Sequence, residues 1–419
     1  MSRFRCRVVA LLAFGWACSA TAGPGDGVAL GSWVFSPYVE LIGVYDSNVY
    51  KDRDDEIDDL FLEPELGLRF STSIDTNLFS IRGNAFFSDR SYRTEDNRDF
   101  HSFGESIDLK LGNGRKSLIE LIQSYRRLDE NDRHAADIES SELAGELIQD
   151  SNTLDLQRDI LQFGALIQRR LSDKLELGLS YRYAGVAYDD TKSDRLGPKD
   201  LVVPDGLDLD DNGVQLDGAL KLTDKTDVTA TLRQGWQFQE DADDSADISI
   251  ARLGLQSQGA AKLVYHAGAG VEYYQYPLGT DDYDDLGFNF SVAADWFITE
   301  KLTFRCGGFN GTQFSAFYST NALEYVSGWA GLGYRWKPST IFSVRGVYRH
   351  DDYINPVTHE GETKDRRDDR IEGHARVDYL VPGSFLRLYL EATYDEVDSN
   401  FDFTDYVDKR VILGVNLCY

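Results

Sequence analysis

The stretch Leu175-Glu-Leu177-Gly-Leu179-Ser-Tyr181-Arg-Tyr183 has an apolar side chain at every second position. Successive side chains of a β-strand point to opposite faces, so this pattern gives one apolar face and one polar face. Similar segments recur along the chain, at 214–222, 263–273, 286–296, 371–379 and 386–394. We count about 18 such strands of roughly ten residues, with about 16 as the alternative, which predicts an all-β chain. The first of them covers 34–45 and the last covers 410–419, and the least regular are 117–125 and 249–256.

The connections between these segments are predicted to alternate between short turns and long, Asp-rich loops. The short turns are at 112–115, 172–174, 223–225, 299–301, 338–339 and 382–383, and three of them share a [Ser/Thr]-[Asp/Glu]-Lys form. The strands of a soluble β-sandwich also alternate between apolar and polar residues. Its Greek-key connections, however, give no reason for short and long connections to follow one another in turn. Short turns at one rim and long loops at the other are typical of a single transmembrane antiparallel up-and-down β-barrel. We expect both chain ends to face the periplasm and the long loops to face outward.

The last strand alternates to the final residue, which is aromatic. Its apolar positions are Val411, Leu413, Val415, Leu417 and Tyr419. This resembles the C-terminal signal by which outer-membrane proteins are recognised by the barrel-assembly machinery, although Phe is the usual terminal residue. The alternative is an ordinary last strand that happens to end in Tyr.

The N-terminus has the pattern of a secretory leader. Arg3, Arg5 and Arg7 precede the apolar stretch Val8–Trp16, and Ala20-Thr21-Ala22 forms a small-residue cleavage site. The sequence therefore predicts a signal peptide at 1–22, a short periplasmic segment at 23–33 and a transmembrane barrel at 34–419. We expect Sec export to the outer membrane of a Gram-negative bacterium, with lipid and lipopolysaccharide around the barrel.

Composition excludes several functional classes. Lys and Arg number 43 against 71 Asp and Glu, a net charge of −28. This balance argues against nucleic acid as a partner, because phosphates require a basic surface. Outside the leader the only cysteines are Cys306 and Cys418, so no disulfide framework and no Cys-x-x-Cys metal cluster is predicted.

Charged residues occupy many of the positions that alternate with the apolar ones, so we place them on the inner wall. A wide barrel permits charges of both signs there, as a water-filled channel does. The charges could be salt bridges that stiffen the wall, or a field that orders a polar solute. The basic positions are Arg69, Arg82, Arg182, Arg233, Arg305, Arg335, Arg345, Arg376 and Arg387; the acidic positions are Glu65, Asp108, Glu120, Asp217, Glu272, Asp295, Asp378 and Glu391.

Acidic runs at 46–59, 240–247 and 281–285 are predicted to lie in the long loops. Such runs are typical of solvated surfaces, but carboxylates are also ligands for Ca²⁺ or Mg²⁺. The best local match is Asp208-Leu-Asp210-Asp-Asn212-Gly213, the first half of a calcium loop without its closing Glu. Asp208, Asp210 and Asn212 are the candidate metal ligands, and no other cofactor is expected.

Two further segments have alternative interpretations. The longest connection, between Tyr125 and Asp159, contains helix-like spacing at 138–148 and would form a short helix over the mouth or in the lumen. His350-Asp351-Asp352 lies at a predicted extracellular strand end, where a surface hydrolase would hold its dyad. No Gly-x-Ser-x-Gly elbow accompanies it, and a His beside acids is usually solvated, so we do not expect an enzyme.

The first strand and loop, Phe35-Ser-Pro37 to Tyr45-Asp46-Ser47-Asn48, are followed by Leu62-Glu-Pro64-Glu-Leu66. This arrangement resembles the β-barrel porins encoded with exopolysaccharide and capsule loci. In that family a Tyr-Asp-Asp/Ser-Asn motif ends the opening strand, and a strand with an early Pro follows an acidic loop. The resemblance implies an outer-membrane pore that serves polysaccharide export, and it supplies no catalytic residues.

Three functions follow as hypotheses. The first is a porin-like channel for hydrophilic solutes, including a polysaccharide. The second is a structural or adhesive barrel whose acidic loops bind cations, lipopolysaccharide or another surface. The third is a surface hydrolase.

Overall fold

A computed structural model describes most of the chain after the predicted leader. The described residues are 27–51, 56–72, 79–95, 98–112, 116–128, 158–188, 208–239, 246–257, 262–278, 281–314, 322–359, 362–401 and 405–418. The expected signal peptide, the helix expected at 138–148 and the terminal Tyr419 lie outside them. The described part of the chain contains no helix that could serve as a membrane-spanning segment.

The described chain forms 21 β-strands. Their bounds are β1 Val28–Leu30, β2 Trp33–Asp46, β3 Asp59–Thr72, β4 Phe79–Tyr92, β5 Phe100–Gly112, β6 Ser117–Leu128, β7 Arg158–Arg170, β8 Leu175–Tyr188, β9 Leu209–Lys221, β10 Thr226–Gln239, β11 Ala246–Ser257, β12 Leu263–Leu278, β13 Asp281–Phe297, β14 Leu302–Phe314, β15 Ala322–Lys337, β16 Thr340–Tyr353, β17 Val357–His359, β18 Glu362–Lys364, β19 Arg367–Leu380, β20 Leu386–Ser399 and β21 Tyr406–Cys418. The two least regular predicted strands are present, as β6 and β11.

Eighteen of these strands, β2–β16 and β19–β21, form one closed antiparallel barrel. Each is paired with the strands before and after it, and β2 is paired with β21 from Tyr38↔Cys418 to Asp46↔Arg410. Closure satisfies the main-chain groups that an open sheet would leave at its two edges. The prediction of a closed barrel with 18 strands is confirmed.

Two short features were not predicted. Strand β1 lies in the segment expected to precede the barrel, and Val28 pairs with Phe35 of β2. It occupies the edge of β2 just beyond the C-terminal end of β21. Strands β17 and β18 form a separate hairpin between β16 and β19.

The two faces of the barrel differ as the alternation predicts. Exposed aliphatic side chains form the outer face, for example Leu41, Leu179, Leu216 and Leu413, with 44%, 49%, 45% and 59% exposure. The alternate positions point inward and are mostly polar or aromatic. Because the strand period is two, the choice of one outward residue fixes the direction of every other side chain in a strand.

The three [Ser/Thr]-[Asp/Glu]-Lys turns share one hydrogen-bonding pattern at the same end of the barrel, called here the short-turn end. The Ser172, Thr223 and Thr299 hydroxyls each accept a bond from the backbone N–H two residues later, at 3.3, 3.1 and 3.2 Å. Ser and Thr favour turns because their hydroxyls replace backbone partners. The weak sequence repeat therefore reflects a repeated turn.

The opposite end, called here the long-loop end, differs from the prediction in its acidic runs, because Asp46, Asp59 and Asp247 belong to strands β2, β3 and β11. Residues 281–285 form the start of β13 and are paired with β12 from Leu278↔Asp281 to Tyr274↔Asp285, instead of forming a long loop. The main-chain ladder continues to the rim, where the Asp284 and Asp285 side chains remain exposed. The strict alternation of short and long connections is therefore wrong between β12 and β13.

Candidate functional site

All seventeen charged residues predicted for the inner wall lie on its inner face. Their positions follow from the pairing, in which directly opposite residues share a face, and from the exposed Leu side chains that define the outer face. The pairing of neighbouring strands brings these residues into clusters, which the sequence alone does not define.

One cluster is a continuous ladder of charges on β19 and β20. Near the short-turn end, Asp378 accepts bonds from Arg387 (Nη2–Oδ1 2.8 Å) and from Arg376 (Nη2–Oδ1 3.0 Å). Arg376 Nη1 lies 3.0 Å from Glu391 Oε2, and its guanidinium lies 3.9 Å from the ring centroid of Tyr389. Opposite charges at successive inward positions therefore neutralise one another along the wall.

The ladder continues toward the long-loop end. His374 lies 3.6 Å from Glu391 and 3.7 Å from Glu372. Arg370 then bridges Glu372 at 2.9 Å and Asp395 at 3.1 Å. Asp395 accepts a bond from the Tyr406 hydroxyl at 2.9 Å.

Sequence reasoning missed the upper members of this ladder, Arg370, Glu372, His374 and Asp395. The signal was present, because Arg370-Ile-Glu372-Gly-His374-Ala-Arg376-Val-Asp378 places all five polar side chains on one face. The contacts between β19 and β20 depend on their pairing, for example Arg376↔Glu391, which composition does not reveal.

The strands that close the barrel also share charges. Arg410 of β21 lies 3.1 Å from Asp46 of β2 and 2.6 Å from Asp408. The Asp46 and Asp408 side chains are 0% and 2% exposed. This cluster, which the sequence analysis did not identify, joins the first and last barrel strands at the long-loop end.

The opposite part of the wall carries smaller clusters. Asp211 lies 3.6 Å from Arg182 and 3.7 Å from Arg233. At the short-turn end, the Lys110 ammonium contacts Glu120 at 2.5 Å and Asp108 at 3.6 Å. Both signs of charge are therefore paired around the wall.

Exposure of the inner wall changes along the barrel axis. The Arg305 and Arg387 side chains, near the short-turn end, are 60% and 50% exposed. Arg349 and Asp351, bonded to each other near the long-loop end, are 4% and 1% exposed. The inner wall is therefore solvated toward the short-turn end and packed toward the long-loop end.

Other buried pairs repeat this packing at the long-loop end. Glu63 lies 3.0 Å from Arg90, and Arg366 lies 2.6 Å from Asp368. The guanidiniums of Arg90 and Arg366 also lie 4.7 and 4.6 Å from the ring centroids of Phe61 and Tyr353. Buried ion pairs of this kind need well-aligned partners, because desolvation of each charge is costly.

Of the candidate metal ligands, Asp208 directly precedes β9, and Asp210 and Asn212 lie within its first residues rather than in a calcium loop. Asp210 and Asn212 point outward and accept bonds from the Tyr183 and Tyr181 hydroxyls, at 2.7 and 2.8 Å. Asp211 between them points inward. A cavity of about 450 Å³ beside Asp208 and Asp210 is lined mainly by outer-face residues. No group of three or more His, Cys, Asp or Glu suited to a metal occurs among the described residues.

His350 also lies on the outer face, near the long-loop end. Its Nδ1 lies 2.9 Å from Asp369 and its Nε2 lies 3.1 Å from Asp352. Asp351 points to the opposite face and is bonded to Arg349. The three consecutive residues that suggested a hydrolase therefore do not form one cluster.

No protein-family model matches the chain, and no curated protein is significantly similar to it. Distant likenesses are found among solved structures. OccAB4 of Acinetobacter baumannii is 11% identical, with 92% of this chain and 98% of that chain covered and a TM-score of 0.48. The outer membrane protein opdK from Pseudomonas aeruginosa is 14% identical, with 92% and 99% covered and a TM-score of 0.47. A BenF-like porin from Pseudomonas fluorescens Pf-5 is 10% identical, with 92% and 99% covered and a TM-score of 0.49.

Proposed function

We propose that this chain is a porin-like channel of a Gram-negative outer membrane, which conducts small hydrophilic solutes along its charged inner wall. The observation that carries the proposal is the ladder of paired charges from Arg387 to Asp395. It lines a closed barrel whose outer face is apolar.

The outer face supports a membrane location. Leu253, Leu413 and Phe87 are 67%, 59% and 50% exposed, and they belong to a belt of exposed apolar side chains around the barrel. A soluble protein rarely exposes apolar surface on this scale, whereas a bilayer requires it. The C-terminal stripe Val411, Leu413, Val415 and Leu417 belongs to this belt, which supports its role as an assembly signal.

The inner wall supports transport of a polar solute. A barrel of about 18 strands is wide enough to leave an aqueous channel. The half-exposed charges near the short-turn end keep that part of the lumen hydrated, and the paired charges above them offer hydrogen-bond donors and acceptors to hydroxyl-rich molecules. Export of an exopolysaccharide is the finer form of the proposal, and it rests on the sequence resemblance of the first two strands.

The packing at the long-loop end favours a second candidate, a structural or adhesive barrel. If Arg349, Asp351, Arg366 and Asp368 stay buried in the membrane-embedded protein, the axial path is narrow there. Acidic groups at this end would then bind cations or lipopolysaccharide instead of directing solutes inward.

Single-channel recording of the full barrel in planar bilayers distinguishes the two candidates. We expect stepwise conductance, with added oligosaccharides producing brief blockages. Arg376→Gln removes one positive charge from the inner ladder and should change conductance and shift selectivity toward cations. Lys409→Gln removes the same charge from the exposed, outward-facing side of β21 and should change neither. Absence of conductance from a folded barrel would reject the channel and favour the structural role.

A further inference from the structure

The barrel wall has a seam between β13 and β14. Within the described residues, these strands are paired only from Ser291↔Phe309 to Phe297↔Thr303. Both strands continue toward the long-loop end, and each remains paired with its other neighbour up to Asp281 and Phe314. The backbone ladder between β13 and β14 therefore stops well short of the long-loop end, although each strand stays paired with its other neighbour.

Side chains replace the missing ladder. The Asn310 side chain donates to the Phe288 carbonyl at 2.6 Å and accepts from the Phe290 N–H at 2.7 Å. Asn289 donates to the Asn310 carbonyl at 3.2 Å. Two residues beyond Phe288 toward the long-loop end, the Leu286 N–H is bonded to the Asp285 carboxylate at 2.7 Å. Side-chain bonds thus link β13 and β14 where the main-chain ladder between them has stopped.

Beyond the seam the wall overlaps itself. Tyr274 points inward from β12, yet its hydroxyl bonds to Glu324, which is on the outer face of β15. Ala322, also on the outer face of β15, is fully buried in one cluster with Tyr274 and Tyr276. The inner surface of β12 therefore packs against the outer surface of β15, and this interface between the two surfaces is called here the slot.

Different residues border the slot on its inner and outer sides. A small cavity at the seam, about 20 Å³, is lined by Asn310 and Thr312 of β14 and by inner-face residues such as Arg233, Glu272 and Tyr325. This volume suits a single water molecule, so the slot is closed in this structure. On the outer side, Leu286 and Phe288 are 62% and 64% exposed.

We propose that the seam is a lateral gate, which passes an amphipathic molecule with an apolar chain and an uncharged polar head between the lumen and the outer leaflet. The exposed Leu286 and Phe288 offer an apolar path for the chain. Amides and paired charges at the inner end, including Asn289 and Arg233, offer hydrogen bonds to hydroxyl groups. The proposal goes beyond the axial channel and depends only on the membrane location of the barrel.

The test uses the full barrel in phosphatidylcholine liposomes and an alkyl glucoside with a photoreactive diazirine in its chain. Cys306→Ser and Cys418→Ser provide the background. Phe290→Cys with Asn310→Cys forms a disulfide across the seam. Ala269→Cys with Phe290→Cys is the matched control, because Ala269 and Phe290 are paired in the intact β12–β13 ladder. Mass spectrometry locates the adducts.

Without a lock, we expect adducts on the outer side, at Leu286 and Phe288, and on the inner side, at Ile248 and Tyr325. The seam disulfide should remove the open population, so inner adducts should fall by at least about fivefold. Breaking the disulfide with a reductant should restore them. The control lock should leave them unchanged. Asn310→Ala, which needs no disulfide, should increase inner adducts.

Equal inner labelling with the seam lock and the control lock would overturn the gate, since the probe would then enter along the axis. No increase in Asn310→Ala would overturn it as well. Axial conductance should be the same in both locked variants, so failure of the gate and failure of the proposed channel give different results.

Discussion

The guanidinium of Arg410 lies 3.1 Å from the carboxylate of Asp46, and this pair joins the last strand of the barrel to the first. Arg410 also contacts Asp408 at 2.6 Å, and both carboxylates are buried. Three charges therefore meet where the two ends of the chain close the sheet.

Asp46→Asn should destabilise the closed barrel, because it leaves a buried guanidinium with weaker compensation. Loss of one partner of a buried pair typically costs about 3–5 kcal/mol. Urea unfolding in micelles, followed by the mobility of unboiled protein on gels, measures the change. Asp224→Asn is the control, since Asp224 is 97% exposed in its pair with Lys221 and should unfold like the unmodified protein. Equal midpoints for the two variants would contradict a stabilising role for closure.

We expect loss of the hydroxyl in one of the shared turns to lower the stability of the barrel slightly. Thr299→Ala removes the hydroxyl that accepts bonds from the Lys301 and Leu302 N–H groups, at 3.2 and 3.0 Å. The expected loss is about 0.5–1 kcal/mol in the free energy of unfolding. Thr299→Ser keeps the acceptor and should retain most of the stability. If both substitutions lower stability equally, packing of the methyl group matters rather than the hydrogen bonds.

Because of the acidic residues at the long-loop end, we expect the channel to prefer cations over anions. Asp281, Asp282, Asp284 and Asp285 should raise the local cation concentration at the mouth. Their joint replacement by Asn should lower the cation preference measured by reversal potentials at low salt. The difference should fade at about 1 M salt, where the screening length is roughly 3 Å. Asp173→Asn with Asp224→Asn, at the short-turn end, provides a control, and anion preference in the unmodified protein would contradict the prediction.

We expect the terminal aromatic residue of the final strand to be required for assembly into the outer membrane. Leu413 is 59% exposed on the outer stripe, and Tyr419 is the next member of that stripe beyond the described residues. Tyr419→Asp would place a charge against hydrocarbon, so we expect low levels in outer-membrane fractions. Tyr419→Phe should assemble normally. Normal levels of the Asp variant would show that the terminal aromatic residue is dispensable.

We expect the long-loop end to be accessible from outside the cell and the short-turn end to be accessible only from the periplasm. An epitope tag inserted between Leu278 of β12 and Asp281 of β13, which pair with each other at the long-loop end, should be labelled on intact cells. A tag between Asp173 and Lys174 lies in a short turn and should be labelled only after the outer membrane is opened. The reverse result would invert the proposed orientation.

The sequence by itself determined the features that depend on a single strand. Period-two alternation identifies the strand and the direction of each side chain, so Arg376 and Glu391 could be placed on the inner wall from their neighbours alone. The hydroxyl residues of the short turns act within four consecutive residues, and they too are readable from the sequence. Even the missed Glu372 and His374 follow the same local pattern.

Only the tertiary structure decided which strands meet, at which register and with what burial. Arg376 contacts Glu391 on the next strand, and Asp46 contacts Arg410 at the other end of the chain. The apolar–polar periodicity of a strand carries no information about which residue of another strand lies opposite. The seam at Asn310 and the overlap of Tyr274 with Glu324 arise where the ladder between two strands stops. Both segments still have strand-like sequences, because each keeps a ladder on its other side. That is why local periodicity defined the wall but could not locate the break in it.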